Sequence, residues 1–285
     1  MPAIFPGYGK PGLSGSAKGS MPMPKAEIIY NDTVPAVFIC RINRFTAEVE
    51  IDGKRDMVHV KNTGRLGELL LPGASVTLQK AKGSSLGSDR GSGCESDHGS
   101  SNDSDRNPKT SRKTAYDLIS VYKPGLEWVN IDSLAPNALM KQYLQNSGFY
   151  DIVQAEHTYG DSRFDFYMKR GSQRFLTEVK GCTLAWDLER GIGLFPDAPT
   201  ERGVKHLKEL AKASREGYLC TIAFVIQMNG IHLVFPNDQT QPEFRAALEE
   251  AVAAGVNVTC LSCQVDRDKI KIVGCIDDTD RYVRR

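Results

Sequence analysis

Between residues 36 and 80 the chain reads as a series of short strands. Residues 36–42 are rich in apolar side chains, and Phe45, Ala47, Val49 and Ile51 then alternate with polar neighbours, the period of a half-buried strand. Asp52-Gly53 marks a hairpin turn, and residues 57–60 return as a third strand. A Leu-rich piece at 66–71, closed by Pro72-Gly73, reads as one short helix. Residues 75–80 and 114–123 supply a fourth and a fifth strand. Five short strands and one short helix predict an OB-like five-stranded β-barrel over residues 25–123.

The pattern is interrupted at residues 82–113. These 32 residues carry nine Ser and five Gly, with Leu86 and Cys94 as the clearly apolar groups. Such a segment buries too little to offset its ordering entropy, so it reads as a disordered insertion inside the barrel domain. Its Gly83-Ser84-Ser85-Leu86-Gly87 matches a nucleophile elbow in letters only, because no strand precedes it and no helix follows. Residues 1–24 are rich in Gly, Pro, Ser and Met and lack the apolar core of a secretory signal, so they read as a disordered leader.

From residue 124 to 285 the pattern becomes α/β. Residues 137–146 read as a helix after Pro136, and 163–169 and 174–183 as two strands around Gly171-Ser172. Residues 200–215 place Val204, Leu207, Leu210 and Ala211 on one apolar stripe, with Thr200 as the N-cap. Residues 218–228 form a buried-type strand and 232–235 another. A helix at 242–254 is stopped by Gly255, and strands at 256–265 and 269–273 complete the domain.

Charge changes this picture little. The 285 residues hold 36 Lys+Arg and 35 Asp+Glu, which excludes a polycation bound to nucleic acid by bulk electrostatics but leaves room for a local basic face. Residues 25–81 carry 8 basic and 7 acidic side chains, and residues 114–285 carry 20 and 23. No run approaches the roughly 18–20 apolar residues of a membrane span. Seven scattered cysteines, an odd number, point to a reducing, cytoplasmic setting.

The chemistry lies in the 163–183 hairpin. With Gly171-Ser172 as its loop, antiparallel partners have numbers summing to 343, which sets Asp165 opposite Glu178. Opposed side chains stand about 4.5–5.5 Å apart at Cβ. Lys180 shares the Glu178 face two residues on. Two juxtaposed carboxylates repel, and a Mg²⁺ or Mn²⁺ ion between them is the simplest compensation. Arg163 lies beside this centre, and the 200–215 helix sets Arg202, Lys205 and His206 in one row suited to phosphates.

Several long segments resemble the sugar fermentation stimulation protein A family over almost all of residues 25–275. They are Asn62-Thr63-Gly64-Arg65, Leu69-Leu70-Leu71-Pro72-Gly73-Ala74, the run from Tyr159 to Phe166, Glu178-Val179-Lys180, and the run from Leu194 to Leu207. The resemblance implies an OB-like domain followed by a PD-(D/E)XK nuclease-like α/β domain with a mixed sheet. It also implies DNA binding, historically linked to sugar-utilisation genes. The nuclease-like motif falls on Asp165, Glu178 and Lys180, and an additional acidic metal-ligand position falls on Glu156.

The expectation is therefore a DNA-binding protein with metal-dependent phosphodiester hydrolysis. Glu156, Asp165 and Glu178 would hold Mg²⁺ or Mn²⁺ and Lys180 would position water. Arg41, Arg44, Arg65 and Tyr116 are barrel-side contacts to DNA. A non-catalytic regulator and an RNA-processing nuclease are the alternatives, and a second copy of the chain is a further admissible partner. Cys260-Leu261-Ser262-Cys263 is a lone C-x-x-C whose side chains point to opposite faces of a strand, so zinc is not expected.

Overall fold

The computed structural model describes residues 23–81 and 114–283. The expected disordered insertion at 82–113 and all but two residues of the expected leader lie outside the described residues.

The N-terminal lobe is the expected barrel. Strands β2 (Thr33–Asn43), β3 (Thr46–Ile51), β4 (Lys54–Val60), β5 (Ser75–Lys80) and β6 (Tyr116–Lys123) run in the order β4-β3-β2-β5-β6, and a β4–β6 pairing closes the ring. Asp52 and Gly53 both take positive φ in the β3–β4 turn, the backbone that matches strand twist in a two-residue hairpin. The Leu-rich piece departs from expectation. Leu66 adopts φ +49°, and Leu69 and Leu70 donate their N–H groups back to its carbonyl, so the piece is a run of turns rather than a helix. Leu66, Leu69 and Leu70 all enter the core.

The C-terminal lobe is a seven-stranded mixed sheet. β1 (Glu27–Ile29), β8 (Ile152–Tyr159), β9 (Ser162–Arg170), β10 (Gln173–Cys182), β13 (Leu219–Ile226), β15 (Asn257–Asp266) and β16 (Lys269–Asp277) form it, in the order β1-β16-β15-β13-β10-β9-β8. Strands β10, β13 and β15 are parallel. The crossovers between them carry helices α2 (Glu201–Arg215) and α3 (Pro242–Ala253), which pack on one face, while α1 (Ala135–Asn146) covers the other. A small sheet of β11 (Leu184–Asp187), β12 (Ile192–Phe195) and β14 (Leu233–Pro236) extends the β10 end.

The central strand explains the apolar run read at 218–228. Ile222, Phe224 and Ile226 enter the α2–α3 core, and Ala223 and Val225 enter the α1 core. A parallel strand buried on both faces needs apolar residues at every position, and each large one contributes about 1.5–3 kcal/mol. Cys260 and Cys263 fall in opposite cores, in keeping with the reading that they form no zinc site.

Two strands cross between the lobes. β1 precedes the barrel in sequence but pairs with β16. β7 (Glu127–Asn130) pairs with β6 of the barrel while Val129 bridges to Met228. Buried polar groups complete the seam: Lys61 Nζ lies 3.1 Å from Asp132 Oδ2, and Gln227 Nε2 donates to Asn130 and Asp132. The lobes therefore share one continuous core.

Arg41 acts in the barrel itself. Its guanidinium donates to the carbonyls of Arg44, Asn62, Gly64 and Arg65. This corrects its expected role as a DNA contact, because the planar fork is already committed to the 62–65 loop. Arg41→Ala is expected to lower the melting temperature by roughly 4–8 °C, from loss of charge-assisted bonds worth about 2 kcal/mol net. An unchanged melting curve with weakened DNA binding would return Arg41 to the interface.

Candidate metal centre and nucleic-acid interface

The hairpin register is the expected one. Gln173 pairs with Arg170 and the ladder continues to Thr177 with Phe166, all summing to 343, and Gly171 takes positive φ in the turn. Beyond that rung β9 and β10 part. Phe164 is buried in the α2–α3 core and Phe166 in the α1 core, although residues two apart in a regular strand share a face. The strand therefore carries an irregularity at Asp165. Strand β8 answers it: Ala155 pairs with Phe166 and His157 with Phe164, while Glu156 between them adopts φ +58° and forms no pair. Backbone irregularities of this kind re-aim side chains next to functional sites. Glu156 and Asp165 lie between the Ala155–Phe166 and His157–Phe164 pairs, and Glu178 is the first β10 residue beyond the last pair with β9.

Asp165 fills the gap. One carboxylate oxygen accepts the Val179 N–H at 2.8 Å, and the other accepts Asn137 Nδ2 at 2.8 Å from the first turns of α1. Burial and the neighbouring Glu178 carboxylate hold its pKa above the usual range, outweighing these bonds and Lys180.

Glu178 is 3 % exposed. Its Oε1 accepts Lys180 Nζ at 2.6 Å and pairs with His206 Nδ1. Its Oε2 is buried without a partner. Burial pushes its pKa up, but the His206 bond and Lys180 outweigh it and the group ends below the usual range. Arg202 Nε lies 3.4 Å from His206 Nε2. That contact makes Nε2 the acceptor, which leaves the proton on Nδ1 for Glu178.

His206 therefore leaves the basic row. The sequence places it beside Arg202 and Lys205, but it is 4 % exposed and faces the sheet with Gly203 and Leu207. The signal was available in outline. A crossover helix joining parallel β10 and β13 must pack on one sheet face, and its buried side meets Glu178 and Lys180. Asn137 had no such signal, since nothing in the spacing relates α1 to Asp165. Thr200 caps α2 as expected, its Oγ1 accepting Gly203 N–H at 3.1 Å.

Glu156 does not join the centre. Its carboxylate is 68 % exposed and pairs with Arg163 at 3.2 Å. Among the described residues no group of three His, Cys, Asp or Glu side chains could hold a metal ion. Arg163, Arg202 and Lys205 remain exposed around the centre, with Lys205 Nζ donating to the Asp161 carbonyl. Arg65 and Arg44 are exposed on the barrel, Arg44 stacked over Phe45, and Tyr116 is half-buried against the barrel core. A cleft lined by Asn62 of the barrel and by Asn137 and Val179 joins the two lobes beside Asp165.

A sugar fermentation stimulation protein homolog of Desulfitobacterium hafniense is 42% identical over 244 residues, covering 85% of this chain and 94% of that protein. The chain belongs to the sugar fermentation stimulation protein family. A homolog from Ruminiclostridium cellulolyticum is likewise 42% identical, over 85% of this chain and 96% of its own. The family's model described as Sugar fermentation stimulation protein RE domain matches residues 133–269, and that described as SfsA N-terminal OB domain matches residues 39–89. The structure of Pyrococcus furiosus SfsA, described as a complex with Ca²⁺, aligns with a TM-score of 0.69 at 23% identity, over 87% of this chain and 96% of that one. The likeness covers both lobes and shows the family fold. No helix among the described residues is long and apolar enough to cross a membrane.

Because Asp165 titrates high in the folded protein, folding takes up a proton there, and stability falls as pH rises from its ordinary pKa to the raised one. Glu178, held low, has the opposite sign: its contribution is lost as pH falls. In metal-free buffer at pH 7, Asp165→Asn is expected to raise the melting temperature by about 2–4 °C, a gain that disappears below the ordinary carboxylate range. A lowered melting temperature at pH 7 would mean that the bonds to Val179 and Asn137 outweigh the repulsion.

Proposed function

We propose that the protein is a divalent-metal-dependent nuclease acting on DNA, with its reaction centre at Asp165, Glu178 and Lys180. The observation that carries this reading is Glu178 Oε2, a carboxylate oxygen buried with no partner beside a second carboxylate whose proton affinity it raises. A buried carboxylate oxygen left without a donor costs about 1–3 kcal/mol unless a donor or a cation meets it. Lys180 and His206 both serve Oε1, so Oε2 is left to meet a different group.

The donor set fits a hard cation. Two carboxylates with no Cys suit Mg²⁺ or Mn²⁺, which keep waters and take further oxygens from a substrate phosphate. Asp165 and Glu178 would hold the ion, which supplies charge neutralisation at the phosphate and an acidified water. The Ca²⁺ complex described for the Pyrococcus furiosus protein is in keeping with an oxygen-donor site.

The chain's own groups do the rest. His206, fixed by Arg202, holds the Glu178 carboxylate so that Oε2 faces away from α2. Asn137 and Val179 N–H hold Asp165 in place. Hydrolysis joins a water oxygen to phosphorus and breaks one P–O bond, the departing oxygen taking a proton. Lys180 has two N–H donors beyond the one on Glu178 with which to orient that water or neutralise the phosphorane-like charge. Arg163, Arg202 and Lys205 around the centre, with Arg65 and Arg44 on the barrel, would hold the strand by its phosphates.

With Mg²⁺ or Mn²⁺ the wild-type protein is expected to cut plasmid or single-stranded DNA, and Asp165→Asn to lose on the order of 10²–10³ in rate. DNA bound equally by both proteins and cut by neither would favour the non-catalytic regulator. Cleavage confined to RNA in competition between matched oligonucleotides would favour RNA processing.

A further inference from the structure

The cleft between the lobes has a volume of about 220 Å³, several times the roughly 30 Å³ that one water occupies in the liquid. It opens beyond the carboxyl ends of β10 and β13, between the first turn of α1, the barrel loop at 62–65 and the segment after β12. Asn137 and Val179, which hold Asp165, form one of its walls. A ligand in the cleft is therefore a direct neighbour of the metal centre.

Two acceptors in its polar walls are unused among the described residues. Gln227 is 1 % exposed, and its amide nitrogen is spent on Asn130 and Asp132. Its Oε1 accepts no hydrogen bond among the described residues. That oxygen lies over Gly181, where a Cβ would stand 2.5 Å from it and 2.8 Å from Pro136 Cγ. Glycine at 181 thus keeps the floor open and the carbonyl accessible. Across the cleft the Asp197 carboxylate makes no hydrogen bond or ion pair among the described residues, and the nearby Arg41 fork is committed to backbone carbonyls. A carboxylate and an unused amide carbonyl repel phosphate and call for an uncharged ligand bearing an amino group.

We propose that this cleft is a nucleobase subsite, which receives an unpaired base bearing an exocyclic amine while the adjoining phosphate lies at Asp165 and Glu178. This rests on the nuclease reading and narrows it to a substrate class: nucleic acid with an unstacked adenine, cytosine or guanine, not thymine, next to the scissile bond. In a paired base the amine is already engaged, so the subsite selects single strands or extruded nucleotides.

The test is fluorescence anisotropy with labelled dC20 and dT20, which differ in the 4-amine for a carbonyl, in N3 as acceptor or donor, and in a methyl group, in Ca²⁺ and again in EDTA. Binding is read without cleavage, so the result stands apart from whether the centre cuts. Wild type is expected to bind dC20 about tenfold more tightly than dT20, the low end of what one correctly read base edge supplies. Asp197→Ala should bring dC20 to the dT20 level and leave dT20 unchanged. Asn62→Ala, on the same wall, should reduce the preference in the same direction. Equal binding of both oligonucleotides by wild type, or an equal loss on both in Asp197→Ala, overturns the subsite while leaving the nuclease reading intact. No binding of either oligonucleotide in Ca²⁺ overturns both.

Discussion

Everything proposed for this protein turns on one buried carboxylate. Glu178 sits on a central strand with one oxygen paired twice and the other not at all. Lone charges are excluded from protein interiors by a desolvation cost of several kcal/mol. Lys180 and His206 keep the carboxylate ionised, since their bonds outweigh the burial that would protonate it. Asp165 alongside is pushed the other way by its burial and by the Glu178 charge. Two neighbouring acids with opposed shifts depart from a pair of ordinary ladder charges, and such opposed shifts support the metal-centre proposal.

The fold makes this arrangement by breaking its own regularity. The β9–β10 ladder is regular to Thr177 and Phe166 and then fails at Asp165, and β8 fails on the same rung at Glu156. The parallel strands beyond that point are buried on both faces and cannot shift, so the irregularity falls on the outer strands. Helix α2 brings His206 and Arg202 from one side, and α1 brings Asn137 from the other. The barrel completes the surroundings through a loop that Arg41 holds rigid. Two lobes with a shared core thus frame one cleft.

Much of this was legible in the chain. Alternation over 45–51, the Asp52-Gly53 turn and the unbroken apolar run ending at Ile226 each reflect local physics, and each appears where the pattern puts it. The hairpin sum gives the observed pairs from Gln173–Arg170 to Thr177–Phe166, because a two-residue turn fixes register, and the ladder ends one rung short of Asp165 and Glu178. The Leu-rich piece was misread because burial and helicity give similar patterns over six residues, and only the left-handed Leu66 separates them. His206 looked like part of a basic row because spacing along a helix does not say which face meets the sheet. Strands β1 and β8 escaped notice: one is three residues long, and the other is largely exposed and pairs at the sheet edge. Asn137, Gln227 and Asp197 meet only through tertiary structure.

Family membership and fold are settled by sequence identity and by structural likeness, and the chemistry rests on Glu178. The most direct measurement is the anomalous difference density of a crystal soaked in Mn²⁺. A peak in contact with Glu178 Oε2 and an Asp165 oxygen is the predicted result. A soaked crystal with no manganese at Glu178, or with manganese bound elsewhere and Oε2 still without a partner, would contradict the account.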